Sequence, residues 1–468
     1  MKSYSEHKIG QNKGAPRIWI EGRQPRTAGF MPGARFTVEL RKERKAIFLK
    51  LINTGERVVS SKTKGGEMIP IIDLNSVELL TMFAGMERIR VIARDGELVI
   101  LPLASEARKE ERLTRIKDKL ERAEPLKVGS ISHGGGVLSL AVHEGLNQEG
   151  VSSRLAFAND IRGDLLEHAA EHNPAWDDET IAVAAPMQEV AFDFWAMENL
   201  PAVDVLEAGI PCEAASLSGR AKNGTPMAEA HEHCGHLVVA FLAIVAKLNP
   251  AVVLLENVPP YQATASMWQL RNQLRDLKYN VHEVILDGAE WNTLEHRKRL
   301  CMVAVTEGIE FSWADLLRPT VKASRLGEVL EDIPLDAACW SEMGYLKDKA
   351  VRDAEQGKGF AMQIVTPDST KVGTIGKGYQ KNRSTEPKVQ HPEKPNLLRL
   401  LTPKEHAAVK GIPHDLIEGL PATTAHELLG QAVLFQPFKA VAGLIASALK
   451  SWANQVSVVS EPLQLKFA

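Results

Sequence analysis

Short apolar runs and amphipathic stretches take turns along most of this chain, and the change of period between them marks out its elements. Val203-Asp204-Val205-Leu206, Ala251–Leu255 and Leu300–Val305 are short and almost continuously apolar. Such runs predict strands covered on both faces, as in a parallel sheet flanked by helices. Val137–Glu144, Leu165–His172 and Leu237–Leu248 instead carry apolar residues three and four apart, the spacing of a helix with one buried face. From Val128 onward the rhythm is strand, loop, helix. A strand enters a glycine run, a helix follows, and Arg154–Ala158 leads to Asp160 before the next helix. The pattern predicts an α/β protein with a mostly parallel, doubly wound sheet and a helix between consecutive strands.

The first hundred residues have a different period. Arg17–Ile20, Arg35–Leu40, Ala46–Leu51, Arg88–Ile92 and Glu97–Leu101 are short alternating or apolar runs separated by Gly, Pro and Asp-Gly turns. They predict a β-rich N-terminal module over 1–102. Between Ser105 and Glu124, Leu113, Ile116 and Leu120 sit three and four apart among many charges, which predicts an exposed amphipathic connecting helix within a linker, 103–125. The α/β rhythm holds over 126–310, breaks into Gly, Pro, Lys and Thr-rich sequence over 311–398, and returns over 399–455. A catalytic domain interrupted by a smaller recognition region is the expected organisation.

At 468 residues the chain is too long for one compact core. Its 44% apolar and 25% charged composition fits a globular enzyme. A net charge of −3 neither requires nor excludes nucleic acid, so any such footprint must come from local basic clusters. The polar stretch from Met1 to Pro16 and the lack of any apolar run long enough to span a bilayer lead us to expect a cytoplasmic protein without a membrane partner. Cys212, Cys234, Cys301 and Cys339 lie far apart, with no Cys-x-x-Cys pair to suggest a disulfide framework or a zinc ribbon. The cluster His231-Glu232-His233-Cys234 with His236 opens an apolar helix and lacks a second ligand pair, so no metal site is expected.

Three strand ends carry reactive groups. Gly209-Ile210-Pro211-Cys212 follows the Val203–Leu206 strand, Glu256-Asn257-Val258 follows the Ala251–Leu255 strand, and Glu295-His296-Arg297-Lys298-Arg299 precedes the Leu300–Val305 strand. In open α/β sheets such strand ends are where chemistry sits. With 25 prolines and 4 cysteines in 468 residues, chance supplies about 0.2 Pro-Cys pairs, so the pair gains meaning only from its company.

That ordered set resembles the C5-cytosine DNA methyltransferases, whose Pro-Cys loop, Glu-Asn-Val strand end and Gln-x-Arg-x-Arg segment occur in the same order and at similar separations. The resemblance covers roughly Lys127 to Leu449. It continues in His133-Gly134-Gly135-Gly136, in Asn159-Asp160, in Arg399-Leu400-Leu401-Thr402-Pro403-Lys404-Glu405 with Lys410-Gly411-Ile412-Pro413, and in Gly430-Gln431-Ala432-Val433. A shorter N-terminal likeness, Gly29-Phe30-Met31-Pro32-Gly33 and Ala84-Gly85-Met86-Glu87 each before a strand, resembles AbrB-like and SymE-type swapped-hairpin domains. It implies DNA binding or dimerisation, which makes the module a candidate homodimer interface; a packing appendage is the plainer alternative.

The resemblance implies a Rossmann-like methyltransferase sheet with a small target-recognition domain, acting on a cytosine flipped out of double-stranded DNA. Cytosine C5 is too weak a nucleophile to be alkylated directly, so a thiolate must first add to C6, a task that suits Cys212. Glu256 would serve the ring at N3, with its carboxyl expected to rise in pKa if desolvated. Arg297 and Arg299 alternate and so cannot point the same way. By resemblance one meets the base oxygen and the other anchors the thiol loop or a phosphate. Glu295 stands where the family has Gln.

S-adenosylmethionine is the implied cofactor. Ile131, His133, Gly135, Gly136, Asp160, Pro211 and Val433 are its candidate contacts, with Asp160 placed for ribose hydroxyls. The family's Phe-x-Gly-x-Gly reads Ile131-Ser132-His133-Gly134-Gly135 here, so the stacking aromatic is missing, and no acidic residue for the adenine amine is evident around Ala185-Pro186-Met187. These departures leave room for a modified donor. Ser216 and Arg220 in the thiol loop, and Thr374, Ile375, Lys377, Tyr379 and Lys381 in the recognition region, are the expected DNA contacts. Two other readings use the same residues: an RNA cytosine-5 methyltransferase, and a DNA-binding regulator built on a degenerate methyltransferase fold. The recognition sequence, and a role in restriction-modification as against antirestriction or regulation, are not written in these motifs.

Overall fold

A computed structural model describes residues 1–12, 15–76, 80–83, 85–211, 215, 227–320, 324–357 and 362–460. The chain divides into two compact units, Met1–Glu111 and Arg112–Ala468.

In the first unit, β1 (Ser3–Lys8), β2 (Gly10–Asn12), β3 (Ala15–Glu21), β4 (Arg35–Arg41), β5 (Ala46–Leu51), β6 (Arg57–Val58), β7 (Ser60–Lys64), β8 (Glu67–Leu74), β9 (Arg88–Arg94) and β10 (Glu97–Pro102) follow in order. They form a six-stranded sheet, β1-β9-β10-β5-β4-β6, and a four-stranded one, β2-β3-β8-β7. The pairing has an internal two-fold. Ile18 opposes Leu74 and Ile20 opposes Ile72 across β3 and β8. The hairpins β4–β5 and β9–β10 join through β5 and β10 at the centre of the larger sheet. Each half leaves an apolar strand face uncovered on its own, and the other half of the same chain covers it. Ile18, Ile20, Ile47, Leu49, Ile72, Leu74, Ile89, Val91, Leu98 and Ile100 are the buried result.

Helix α1 (Ala104–Glu121) differs from the sequence expectation of an exposed linker. Its Arg112 is fully buried, with Nε donating to Thr306 Oγ1, Nη1 to Asn249 Oδ1, and Nη2 to the carbonyls of Leu277 and Lys278. The guanidinium also lies 4.0 Å over the Tyr279 ring. Arg115 and Lys119 both pair with Asp204, which is completely buried at the foot of a central strand. A charged face that reads as solvated is therefore the face that docks, because each cation finds buried acceptors to hold it.

The second unit is built on a seven-stranded sheet of β11 (Leu126–Ile131), β12 (Ser153–Asp160), β13 (Ile181–Ala184), β14 (Val205–Gly209), β15 (Val252–Asn257), β16 (Tyr279–Asp287) and β17 (Lys298–Thr306), in the order β13-β12-β11-β14-β15-β17-β16. Helices α2 (Val137–Gln148), α3 (Gly163–His172), α4 (Leu237–Leu248) and α5 (Ala265–Asp276) connect the parallel strands, as the rhythm predicts. Val252–Leu255 are at most 1% exposed, the expected result for a strand covered on both faces. One expectation fails here. No α-helix separates β16 from β17; the loop 288–297, opened by one 3-10 turn at Gly288–Glu290, joins them, and β17 runs antiparallel to both neighbours. The start of β17 therefore lies at the same sheet end as the finish of β15.

The recognition region carries a small sheet, β18 (Gln363–Val365), β19 (Pro387–Gln390) and β20 (Leu398–Arg399). Chain return is through α6 (Pro403–Val409), α7 (Ala422–Gln431) and α8 (Phe435–Ser460), with α8 packed along α2. Thr402 and Glu405 form a reciprocal capping box that starts α6, and Arg399 grips the same Glu405 at 2.7 and 2.8 Å. Among the described residues, no single helix is long and apolar enough to cross a membrane.

Candidate active site

Three strand ends converge where the sequence places the chemistry. β14 ends at Gly209, directly opposite Glu256 of β15. An added Cβ at Gly209 would lie 3.5 Å from Glu256 Oε2, so the carboxylate sits above the glycine. Arg299, near the start of β17, directs Nε at Glu256 Oε1 at 2.6 Å. Both side chains are about one-eighth exposed, so the pair opens onto the surface at the sheet end. Asn257 fixes the next turn: its Nδ2 donates to the carbonyl of Ile210 at 3.1 Å and its Oδ1 accepts from Val258 N–H. The root of the Pro211-Cys212 segment is thus tied to the strand that carries Glu256. Pro211 is exposed. Cys212, Ser216 and Arg220 lie outside the described residues. Cys301 opposes Glu256 in register but is fully buried, and burial pushes its thiol far up, which makes it inert.

Arg297 does not share the Arg299 environment. Its side chain is 4% exposed and donates through Nη1 to the carbonyl of Ile375 and through Nη2 to that of Gly430. Among the described residues Arg297 is thus an internal clamp between the recognition segment and α7; the thiol loop, its other expected partner, lies outside them. Glu295 completes it. Its Oε1 accepts the Ile375 N–H at 2.8 Å, and its Oε2 meets Lys410 Nζ at 2.7 Å with both side chains fully buried. Burial alone would raise the Glu295 pKa, but the charges of Lys410 and Arg297 outweigh it and hold the carboxyl below its ordinary value. Lys410 was visible in the sequence only as part of a motif. Its role as the counter-charge that a Gln-to-Glu change requires was missed, although one new buried acid calls for one new buried base.

The proposed DNA contacts in 374–381 separate by exposure. Thr374, Lys377 and Lys381 are exposed, whereas Ile375 and Tyr379 are completely buried. Tyr379 donates to the Pro387 carbonyl at 2.8 Å and accepts the Leu401 N–H at 2.9 Å, so its hydroxyl is spent internally. Ile375 and Tyr379 are corrected to core residues that fix the segment. At Gly430 an added Cβ would come within 2.4 Å of the Gly376 and Lys377 backbone, so the segment rests directly on this glycine. Glu427 reaches both Lys377 at 3.4 Å and Arg162 at 3.3 Å.

On the cofactor side, Ser132, Gly134 and Gly136 adopt positive φ of 57°, 56° and 73°, and form a turn after β11. Asp160 supports it: Oδ2 accepts the Gly134 N–H and Oδ1 the Arg162 N–H, each at 2.8–2.9 Å. A carboxylate oxygen can accept more than one hydrogen bond, so both retain capacity for hydroxyls. Above Gly134 an added Cβ would meet open space, while Gly135 is pressed against Leu428. An open glycine turn beside an acceptor carboxylate fits the ribose and methionine ends of S-adenosylmethionine. The side chains of Ile131, fully buried, and Val433, at 4%, turn into the core. His133 also turns inward, at 7% exposure.

The family model for C-5 cytosine-specific DNA methylases matches residues 184–447, more than half of the chain. The chain belongs to the C-5 cytosine-specific DNA methylase family. Within that family it is 26% identical over 264 residues to the type II methyltransferase M1.ScrFI of Lactococcus lactis subsp. cremoris, an alignment covering 54% of this chain and 64% of that protein. It is 28% identical over 264 residues to M.MspI of a Moraxella species, covering 55% and 59%. The chain spans less than two thirds of the length of these relatives. The crystal structure of S. pombe Dnmt2 methyltransferase superposes with a TM-score of 0.53 at 19% identity, covering 70% of this chain and 99% of that one, and shares the methyltransferase fold.

Proposed function

We propose that the protein is a DNA cytosine-5 methyltransferase that works through a covalent adduct between Cys212 and C6 of a flipped-out cytosine. The observation that carries this reading is the Glu256–Arg299 pair, set opposite Gly209 at the root of the Cys212 segment. S-adenosylmethionine, when bound, supplies an electrophilic methyl group. The open turn at Gly134–Gly136 and the Asp160 carboxylate would hold it.

The chain's own residues then divide the work. Thiolate addition from Cys212 forms an S–C6 bond and moves an electron pair into the ring toward C5. Glu256, in its acid form, donates its proton at N3 so that the ring takes up the added electron pair without net negative charge, and recovers it when the thiolate leaves; Arg299 holds the other carboxyl oxygen. After C5 is alkylated, loss of its proton to a base restores the ring and expels the thiolate. Thr374, Lys377 and Lys381 present the exposed face of the recognition segment to DNA, with the lysines on phosphates.

Double-stranded DNA is the substrate this reading names, and charge supports it unevenly along the chain. Residues 1–111 hold 20 Lys and Arg against 14 Asp and Glu, a surplus of +6, which leaves −9 for the remainder. The N-terminal unit therefore supplies the phosphate attraction that the acidic catalytic unit lacks.

A duplex containing 5-fluorocytosine tests the mechanism. Fluorine at C5 cannot leave as a proton, so a transferred methyl group traps the S–C6 bond. With S-adenosylmethionine present, a denaturation-resistant protein–DNA band should form with wild type and vanish with Cys212→Ala. A band with the variant, or none with wild type on duplexes that the protein binds, would refute the adduct.

A further inference from the structure

Glu207 is a carboxylic acid that the reaction above does not use. It lies on β14 two residues before Gly209, on the sheet face that also carries Glu256, and is 2% exposed. Its Oε1 has no hydrogen-bond partner. Ser130 of β11 stands beside it in register, and beyond Ser130 a chain of polar contacts runs behind the cofactor turn. Ser130 Oγ is 2.8 Å from His133 Nδ1, and His133 Nε2 is 3.1 Å from Trp176 Nε1.

The direction of this chain is fixed by chemistry. Indole N–H can only donate, so His133 Nε2 accepts. His133 must then carry its proton on Nδ1 and donate it to Ser130 Oγ. The Ser130 hydroxyl proton is left for Glu207. Burial holds the imidazole neutral, down to about 3, and pushes the Glu207 carboxyl up to about 8, drawn back in part by the Ser130 hydroxyl. Both ends are uncharged at neutral pH. Each polar member but the last is satisfied by the next, which is how such a network rigidifies what it touches.

The His133 ring is wedged against the turn: a Cβ at Gly136 would come within 2.5 Å of His133 Nε2 and 2.2 Å of Asn173 Nδ2. Asn173 in turn donates to the carbonyls of Gly135 and Gly136. We propose that Glu207, acting through Ser130 and His133 against Trp176, is a positioning residue that fixes the Gly134–Gly136 turn and so sets the affinity for the methyl donor. The inference rests on the cofactor reading of that turn.

Ionisation of Glu207 would place a charge in a dry core with the Ser130 hydroxyl as its one donor, which an incoming water or cation would relieve. Packing beneath the turn would then loosen. The titratable groups on the elements packed around it are Lys127 on β11, His143 and Glu144 on α2, Glu256 on β15, and Lys298, Arg299 and Cys301 on β17. His143 is itself held neutral by burial, at about 4, and Glu256 is in contact with Arg299 rather than with Glu207.

The test is calorimetric binding of S-adenosylmethionine to the full chain from pH 6.5 to 9.5, for wild type, Glu207→Gln, Ser130→Ala and Trp176→Phe, with thermal melts to verify folding. Wild-type affinity should be flat to about pH 8 and fall at least 5-fold above it. Glu207→Gln should remove that fall, and Ser130→Ala and Trp176→Phe should each weaken binding about 5-fold at pH 7. Nitrogen-15 shifts of the His133 ring should report the Nδ1–H tautomer in wild type and lose that preference in Trp176→Phe. An unchanged pH profile in Glu207→Gln, or wild-type affinity in folded Ser130→Ala, would overturn the positioning role alone. Failure of wild type to bind the donor at millimolar concentration would overturn the cofactor reading and this inference with it.

Discussion

Arg299 Nε lies 2.6 Å from Glu256 Oε1, and this contact joins two strands that run in opposite directions. Because β17 is antiparallel to β15, the beginning of one strand and the finish of the other meet at one end of the sheet. The pair is partly open to solvent, so it is placed to meet a substrate.

Replacing Glu256 with Gln keeps the shape and removes the charge that Arg299 holds. We expect kcat for methyl transfer to fall about 100-fold or more, with the melting temperature nearly unchanged. Arg299→Leu should lower kcat by a similar factor, and the double variant should be little worse than either single one. Single-turnover kinetics on duplex DNA would check this; fully additive losses would show that the two side chains act separately.

The buried Glu295–Lys410 pair makes a stability prediction. Lys410→Met leaves a buried carboxylate facing only Arg297 and should cost about 3–5 kcal/mol. Glu295→Gln combined with Lys410→Gln should recover most of that loss. The pair also dictates a pH dependence. The Glu295 carboxyl is held below its ordinary value, so its contribution is present above the ordinary carboxylate range and is lost as pH falls through the folded-state value. Urea denaturation of wild type between pH 3 and 6 should show this loss, and the double Gln variant should show less of it.

Gly430→Ala would drive a methyl group into the Gly376–Lys377 backbone, where 2.4 Å is available. The recognition segment must then lift away. DNA binding should weaken at least 10-fold while S-adenosylmethionine affinity, measured by calorimetry, stays within about 2-fold. Equal loss of both would mean that the glycine supports the cofactor turn instead.

Charge partition predicts how the N-terminal unit contributes. A chain beginning at Ala104 keeps α1 and its Arg112 anchor. It should bind duplex DNA more weakly and with a shallower dependence on salt than the full chain, since it releases fewer counterions. Fluorescence anisotropy at several salt concentrations would measure the slope. Identical slopes would place all phosphate contacts in the catalytic unit.

Strand ends were the most legible part of the sequence. The nearly continuous apolar runs at Val203–Leu206, Ala251–Leu255 and Leu300–Val305 lead into or form β14, β15 and β17, because burial on both faces leaves little room for alternation. The alternation of Arg297 and Arg299 also foretold their divergence. What the pattern hid was burial of charge. Arg112, Glu295 and Lys410 look like surface residues one at a time, and their pairing depends on partners up to 194 positions away in the chain. Ile375 and Tyr379 misled for the complementary reason: in an irregular segment without period, nothing in the sequence says which side chains turn inward.

The most direct test of the account is nucleoside mass spectrometry on DNA from a methylation-free host expressing the wild type or Cys212→Ala. A 5-methylcytosine peak that depends on Cys212 is the predicted result. DNA with unmodified cytosine in cells containing folded wild-type protein, or a peak that survives in Cys212→Ala, would contradict it.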